Sequence, residues 1–171
     1  LSLWDKCMEL GKNFNITPYG TEAMHVLRAE KGYIIVGQET DGSVTPVDLD
    51  MNWIVSKKKY DFIGKRALVR SDTVKEDRKQ LVGILTVDPS IVLEEGSQLV
   101  EVETSLPMPM VGHITSSYYS PNLGRSIALA LVKSGTKKKG VKLIVPTVNK
   151  SVEVEITNPV FIDPKNERLL A

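Results

Sequence analysis

Four polar or aromatic residues lie within twelve positions of one another and could act together chemically. They are Glu22, Arg28, Glu30 and Tyr33. An arginine and two carboxylates this close in sequence can satisfy one another as a buried polar network. The same groups can also orient a heteroaromatic ligand, for which Tyr33 would supply a stacking face or a hydroxyl group. Residue types alone leave both interpretations open.

The other residues with useful chemistry are few. The chain has two histidines, His25 and His113, and one cysteine, Cys7. Either histidine could act as a general base, but a lone histidine in an apolar run is more typical of a structural role. These three residues do not supply a dedicated zinc site. Because the chain also has no G-x-S-x-G, H-E-x-x-H or Gly-rich phosphate motif, we predict neither catalytic residues nor a metal site.

The composition is that of an ordinary globular protein and excludes several classes. The net charge is +1, so no overall field attracts nucleic acid or anionic lipid. Two triple-lysine runs, 57–59 and 137–139, lie beside turn signals without interleaved aromatics, which favours solvated loop charge. The longest apolar run, 127–132, is far too short to cross a bilayer. We therefore expect a cytoplasmic protein without nucleic-acid or membrane partners.

The elements that position the polar cluster are helical. A capping pattern followed by roughly helical spacing predicts a helix over residues 2–13. A second helix is predicted over 22–30, with a glycine after it as the stop signal. Residues 33–36 and 53–55 are apolar and β-branched and are predicted as short strands, and 64–69 as a short helix.

The pattern changes after a polar stretch at residues 71–79, which we predict to be a linker. Beyond it, β-rich runs follow one another with only turn residues between them. These runs are 81–87, 98–102, 111–116, 127–132, 141–145 and 152–156. Such spacing predicts an antiparallel barrel over 80–165. The expected fold class is therefore α+β, with a partial α/β lobe in 1–70 followed by a C-terminal antiparallel β-barrel.

Several segments in collinear order resemble a known family. Residues 20–33 read GTEAMHVLRAEKGY and, with the IIVGQETDG that follows, resemble the folate-binding region of the glycine-cleavage T-protein superfamily. Residues 61–68, DFIGKRAL, are similar to the family's F-x-G-x-x-A-L segment. Residues 112–124, GHITSSYYSPNLG, resemble its G-x-V-T-S hairpin. Within the superfamily, TEAMHVLRAEKG and RSIALALV are most similar to the alpha subunit of heterotetrameric sarcosine oxidase.

The resemblance implies roles for particular residues. Family members have three lobes around a folate, the last of them a small antiparallel barrel. Met24 stands where the family has an arginine, which implies a softer, apolar contact with the pterin. Tyr33 matches an aromatic residue that lines the pocket, so Met24 and Tyr33 are the implied folate contacts. Arg28 and Glu30 match an R-x-E pattern, whose implied role is to order the backbone and support the site.

The resemblance also implies an activity, cofactors and partners. Enzymes of this kind oxidise sarcosine at a flavin on another subunit, and tetrahydrofolate captures the one-carbon unit as 5,10-methylenetetrahydrofolate. The implied partners are folate and the other sarcosine oxidase subunits, with FAD, FMN and NAD bound outside this segment. The family's folate carboxylates belong to sequence upstream of Leu1, and Leu1 is not an initiator methionine. We therefore expect the chain alone to be incomplete and inactive.

Two alternatives to this interpretation stay open. One is a glycine-cleavage-type aminomethyltransferase, which belongs to the same superfamily but works with a lipoyl-carrier partner. The other is a non-catalytic barrel module that binds RNA or protein through lysines 57–59 and 137–139. The resemblance further predicts that residues 34–36 and 53–55 pair with upstream sequence and are poorly covered in this chain.

Overall fold

Two α-helices and three short 3₁₀ helices form the regular structure of the first part. The computed structural model describes residues 2–148, 150–168 and 170. The helices are α1 (Ser2–Gly11) and α2 (Thr21–Glu30), and the 3₁₀ helices are Lys12–Phe14, Asn52–Ile54 and Lys65–Val69. The predicted helices are confirmed, although residues 12–14 continue α1 as a 3₁₀ turn. None of the helices in the described ranges is long and apolar enough to cross a membrane.

Gly32 follows the end of α2 in a position that disfavours any residue with a side chain. Its φ angle is +69°, which lies in the left-handed region. A Cβ atom there would lie 2.6 Å from the carbonyl oxygen of Pro159. The end of α2 is therefore in close contact with the last segment of the chain.

The two strands predicted for the first part are not strands in the described structure. Residues 33–36 run into a tight turn, in which two N–H groups donate to the carbonyl oxygen of Ile35. Residues 53–55 lie in and just after a 3₁₀ helix. These two predictions are wrong because a strand needs a partner strand, whereas the backbone N–H groups of both segments donate only to residues nearby in the sequence. The short helix predicted over 64–69 is confirmed as a 3₁₀ helix.

The second part is a six-stranded antiparallel sheet. Its strands are β1 (Lys79–Thr86), β2 (Gln98–Leu99), β3 (Gly112–Ser120), β4 (Arg125–Lys133), β5 (Lys142–Val145) and β6 (Val152–Thr157). The order across the sheet is β2-β3-β4-β1-β6-β5. Among the described residues its only helical segment is a 3₁₀ turn, Gly135–Lys137.

The sheet curls until its two edges meet. Just beyond β2, Val100 exchanges two hydrogen bonds of 2.9 Å with Ile144 of β5, which joins the ends of the strand order. The predicted fold class, with its C-terminal antiparallel barrel, is confirmed. The run predicted over 98–102 is shorter because Val100 leaves β3 and pairs with the opposite edge.

Alternate residues of the strands face the inside and the outside of the barrel. The interior cluster contains Val82, Ile84, Leu93, Leu99, Ile114, Ala128, Ala130, Val132, Leu143, Val145, Val152, Val154 and Ile156. In β6 the glutamates between these apolar positions are exposed, as the two-residue period of a half-buried strand requires.

A second apolar cluster attaches the first part to the outer face of β1 and β4. Its buried members are Leu49, Leu81, Leu129 and Leu131, with Ile34, Val44, Met51 and Phe161 packed against them. The backbone N–H of Leu81 also donates to the carbonyl oxygen of Asp48, at 2.8 Å. Residues 71–78 connect the two parts, and the division into 1–70, a linker at 71–79 and 80–165 stays a prediction.

Candidate functional site

Arg28 lies at the centre of a buried polar network between α2 and the outer face of β3. It belongs to the last turn of α2 and is only 9% exposed. Its Nη1 donates to Oε2 of Glu39 at 2.9 Å and to the backbone oxygen of Tyr33 at 3.1 Å. Its Nη2 donates to Oγ of Ser116 at 2.6 Å and to Oε1 of Gln38 at 3.0 Å. One guanidinium group thus connects the helix, the loop after it and the barrel.

Glu39 is fully buried, and its carboxylate accepts four hydrogen bonds. Oε2 accepts from Arg28 and from the backbone N–H of Ile35, at 2.9 and 2.7 Å. Oε1 accepts from the hydroxyls of Ser116 and Thr115, at 2.5 and 3.1 Å. Four donors are about the full capacity of a carboxylate. The carboxylate of the Arg28–Glu39 ion pair is therefore fully satisfied despite its burial, whereas Nε of Arg28 is buried without a hydrogen-bond partner among the described residues.

A β-bulge in β3 brings both hydroxyls to this carboxylate. Ile114 pairs with Ala130 and Ser116 pairs with Leu129, so Thr115 is the extra residue. Neighbouring residues of a regular strand point to opposite faces of the sheet. The bulge removes that alternation locally, so Thr115 and Ser116 both reach the outer face.

Glu30 forms a separate network with the turn between β3 and β4. It is 3% exposed, and its carboxylate accepts from Oγ of Ser120 at 2.5 Å and from Nδ2 of Asn122 at 2.9 Å. Its backbone oxygen accepts from the N–H groups of residues 161 and 162. Helix residues two apart do not face each other, which explains why Glu30 does not pair with Arg28.

The structure divides the polar cluster seen in the sequence. Arg28 and Glu30 are buried in two different networks, whereas Glu22 is exposed and belongs to neither. The carboxylate that pairs with Arg28 is Glu39, which the sequence analysis missed. The sequence signal that could have found Glu39 is its place in the segment IIVGQETDG, which follows the second helix and belongs to the motif that resembles the family.

Met24 and Tyr33, the predicted folate contacts, are both partly exposed, at 44% and 51%. Met24 lies on α2 one turn before Arg28. The carbonyl of Tyr33 accepts a hydrogen bond from Arg28, and the N–H of Ile35 donates to Glu39. The network therefore fixes the backbone around Tyr33 and leaves its ring accessible. The contact of both residues with folate stays a prediction.

A polar cavity of about 250 Å³ lies between the loop after α2 and the outer face of the barrel. His113 lines it, half-buried, with Nδ1 3.3 Å from Nζ of Lys79. Burial and the charge of Lys79 lower the pKa of His113, while Asp41 acts weakly in the opposite direction. A neutral imidazole that accepts from the Lys79 ammonium is consistent with this environment.

A second buried ion pair holds the loop at the entrance to β1. Asp48 is 2% exposed and accepts from Nη2 and Nε of Arg78, at 2.6 and 2.8 Å. The N–H and hydroxyl of Thr45 also donate to it, at 2.8 Å. Burial acts to raise the pKa of Asp48, but the hydrogen bonds from Arg78 and Thr45 outweigh it, so the pKa lies below its ordinary value.

The remaining candidates for chemistry are not hydrogen-bonded members of these networks, although Tyr118, beside His25, accepts from Nη2 of Arg28 at 3.3 Å. Cys7 is exposed on α1. His25 lies beside Tyr118, with ring centroids 6.4 Å apart. Across residues 2–148, 150–168 and 170, no three His, Cys, Asp or Glu side chains come close enough together to hold a metal ion.

The lysine runs differ in their surroundings. Lys137 forms an ion pair with Glu76 at 3.2 Å, and Lys138 forms one with Glu101 at 2.6 Å. Lysines 57–59 are exposed. Two of the three charges in the second run are thus already neutralised within the chain, which weakens the case for a nucleic-acid surface there.

Comparison with known proteins places the chain in a family. Residues 1–59 match the GCVT N-terminal domain, and residues 79–163 match the glycine cleavage T-protein C-terminal barrel domain. The second match spans the six-stranded barrel. The chain belongs to the glycine-cleavage T-protein family.

Relatives within the family include sarcosine oxidase alpha subunits. The chain is 52% identical to "Sarcosine oxidase subunit alpha" of Corynebacterium sp. (strain P-1) over 98% of its length, covering 18% of that protein. It is 40% identical to the same subunit of Rhizobium meliloti (strain 1021), again over 98% of the chain and 17% of the relative. The chain therefore spans less than a fifth of the length of these relatives.

Aminomethyltransferases are more distant relatives. The chain is 34% identical to the aminomethyltransferase of Thermotoga neapolitana over 93% of its length, covering 41% of that protein. The crystal structure of glycine cleavage system aminomethyltransferase T from Bartonella henselae matches with a TM-score of 0.78 and 21% identity. That match covers 92% of this chain and 43% of the other, and it establishes a shared fold.

Proposed function

We propose that this chain is the C-terminal, tetrahydrofolate-handling region of a sarcosine oxidase alpha subunit. The observation that carries the proposal is the similarity to sarcosine oxidase alpha subunits over 98% of the chain. In the intact complex, an oxidoreductase acting on CH–NH bonds, this region would help to capture the one-carbon unit from sarcosine as 5,10-methylenetetrahydrofolate.

The geometry around Tyr33 supports this proposal. A pterin ring needs a flat apolar or aromatic contact and a rigid wall behind it. Tyr33 and Met24 offer partly exposed side chains of that kind. The Arg28–Glu39 pair supplies the rigid wall, because it holds the backbone at both Tyr33 and Ile35. Met24 and Tyr33 would hold the pterin, and Arg28 and Glu30 would keep their backbone in place.

The buried carboxylates of this chain are not available to a folate. Glu39 accepts four hydrogen bonds within the protein, and Glu30 is occupied by Ser120 and Asn122. Neither of these two carboxylates would therefore pair with donor groups of the pterin. The chain has no dinucleotide fingerprint, so FAD, FMN and NAD would bind outside this segment. Other sarcosine oxidase subunits are the expected partners.

The Tyr33→Ala substitution in the complete assembly tests the proposal. Loss of the aromatic contact should weaken tetrahydrofolate binding about tenfold. Peroxide production from sarcosine should stay nearly unchanged, because oxidation takes place at a flavin on another subunit. Both quantities are measurable on one preparation, by fluorescence titration with tetrahydrofolate and by a peroxide assay.

A matched control is the Tyr60→Ala substitution. Tyr60 is 95% exposed and lies outside the Arg28 network, so its loss should change neither quantity. A Tyr33→Ala enzyme that lost oxidation and kept its affinity for tetrahydrofolate would refute the assignment of this region to the folate pocket. The isolated chain should bind tetrahydrofolate weakly or not at all.

The second candidate is a glycine-cleavage-type aminomethyltransferase, which the 34% identity to the Thermotoga neapolitana protein favours. Such an enzyme would take its aminomethyl group from a lipoyl carrier, whereas sarcosine oxidase needs no such carrier. Methylenetetrahydrofolate formation that depends on an aminomethylated lipoyl carrier, and not on sarcosine, would select this alternative.

A further inference from the structure

The polar cavity beside β3 lies apart from the proposed folate contacts. Neither Met24 nor Tyr33 lines it. Its walls come from the loop after α2 and from the outward-facing residues of β1, β3 and β4. The lining includes Gln38, Asp41, Ser43, Lys79, His113 and Leu131. With a volume of about 250 Å³, the cavity is suited to a small molecule.

Two of the charged side chains that line this cavity have no ion-pair partner among the described residues. Four charged side chains line it. Glu39 and Arg78 are neutralised by the two buried ion pairs described above. Asp41 and Lys79 form no salt bridge with any residue that the structure describes. The cavity therefore presents one free carboxylate and one free ammonium group.

Both free groups are held in place by neighbours. Oδ1 of Asp41 accepts from the N–H and the hydroxyl of Ser43, at 2.7 and 2.6 Å. Nζ of Lys79 lies 3.3 Å from Nδ1 of His113. An ammonium group has three donors, so two remain for a ligand after this contact. Groups oriented in advance lose less entropy when a ligand binds.

We propose that this cavity binds a small zwitterion of the amino-acid type, with its carboxylate on Lys79 and its ammonium group on Asp41. A simple anion would be attracted by Lys79 and repelled by Asp41, and a simple cation would meet the reverse. A zwitterion satisfies both groups at once, with a charge-assisted hydrogen bond to each. This site is independent of the proposed folate contacts, so either proposal can fail without the other.

Glycine, acetate and methylamine are the probes that test the site. The chain has two histidines, so the imidazole NMR signals of His113 report on the cavity and those of His25 serve as an internal reference. Glycine should shift the His113 signals and not those of His25, with a dissociation constant of about 1 mM. Acetate and methylamine, each carrying one of the two charges, should bind at least about tenfold more weakly.

Two charge-removing variants and two matched controls assign the roles. Asp41→Asn keeps an acceptor for Ser43, and Lys79→Gln keeps most of the side-chain length. Each should weaken glycine binding about tenfold, the loss of one charge-assisted hydrogen bond. Asp88→Asn is the control for Asp41→Asn. Oδ1 of Asp88 accepts from the N–H and the hydroxyl of Ser90, at 2.9 and 2.7 Å, but Asp88 does not line the cavity.

Lys133→Gln is the control for Lys79→Gln. Lys133 lies opposite Lys79 in the register of β1 and β4, but it is exposed and does not line the cavity. Neither control should change the affinity for glycine. The proposal is overturned if glycine up to about 100 mM leaves His113 unshifted, a concentration about a hundredfold above the expected constant. It is also overturned if acetate or methylamine binds as tightly as glycine, which would make the cavity a simple ion site.

Discussion

Replacement of Glu39 by alanine should be among the most destabilising single changes in this protein. The carboxylate is fully buried and is the only acidic partner of Arg28 among the described residues. Its removal leaves the guanidinium charge uncompensated in a low-dielectric environment. It also leaves the N–H of Ile35 without its acceptor.

The size of the effect can be worked out from these losses. Removal of one partner of a buried ion pair costs about 3–5 kcal/mol. Domains are stable by about 5–15 kcal/mol in total, so the loss would be a large fraction of the free energy of unfolding. For a chain of this length, about 1 kcal/mol lowers the Tm by about 2–4 °C, which gives an expected decrease of about 6–20 °C.

A double-mutant cycle separates the ion pair from general damage to the core. Thermal and urea unfolding would be measured for Glu39→Gln, for Arg28→Met and for the double variant. Because the double variant leaves no buried charge unpaired, it should lose at least about 1 kcal/mol less than the sum of the single variants. The control is Glu153→Gln, which removes the acid of an exposed pair with Lys142 and should leave the Tm unchanged.

Two results would rule out this role for Glu39. One is a Glu39→Ala protein that unfolds at the temperature of the Glu153→Gln control. The other is an additive cycle, in which the double variant loses the full sum of the two single losses. The first result would mean that Arg28 finds compensation elsewhere and that the four hydrogen bonds to Glu39 contribute little to stability. The second would mean that Arg28 and Glu39 contribute to stability independently of each other.

Three further outcomes are expected. Gly32→Ala should lower the free energy of unfolding by about 1–3 kcal/mol in urea, because it combines a left-handed φ with a backbone clash. The control Gly37→Ala, at a positive φ but in open space, should cost less. Equal losses would mean that the clash with Pro159 is relieved at little cost. The pKa of Asp48 in the folded protein lies below its unfolded value of about 3.9. Its contribution to the free energy of unfolding is therefore full above that value and is lost as the pH falls through the folded pKa. The urea midpoint should therefore fall in acid, and Asp48→Asn should flatten that decrease. Val36 and Trp53 are 87% and 78% exposed, so the chain should self-associate in light scattering, and Trp53→Ser should reduce this association. A strictly monomeric wild-type chain would contradict the prediction.

The barrel was predictable because its information is local. In β6 the apolar residues alternate with glutamates, and such a two-residue period is visible in any short window of the sequence. The helix over 22–30 was predictable for the same reason, since its stop signal at Gly32 lies next to it. Residues 53–55 have the composition of a strand but pair with no strand in the described part of the chain, and a partner cannot be read from the segment itself.

Glu39 could not be found from the sequence because its contacts are distant in the chain. Arg28 lies 11 positions away from it, and Ser116 lies 77 positions away. The meeting of these residues also depends on the bulge at Thr115, which leaves no periodic signal in the sequence. Of the predicted cluster of Glu22, Arg28, Glu30 and Tyr33, the charged side chains do not pair with one another. Arg28 and Glu30 are buried in separate networks and Glu22 is exposed, because direction around a helix matters more than distance along it.

The bulge at Thr115 gives β3 a change of phase. Before it, His113 faces outward in step with one alternation, and after it Ser116 and Tyr118 face outward in step with the other. Deletion of Thr115 would leave Ile114 opposite Ala130 and Ser116 opposite Leu129, so the later side chains of the strand would keep their faces. Ser120 would still reach Glu30 on the outer face. A one-residue deletion later in β3, where the pairing is regular, would instead turn the following side chains to the opposite face. The bulge is therefore the one point of β3 at which a change of length is absorbed locally.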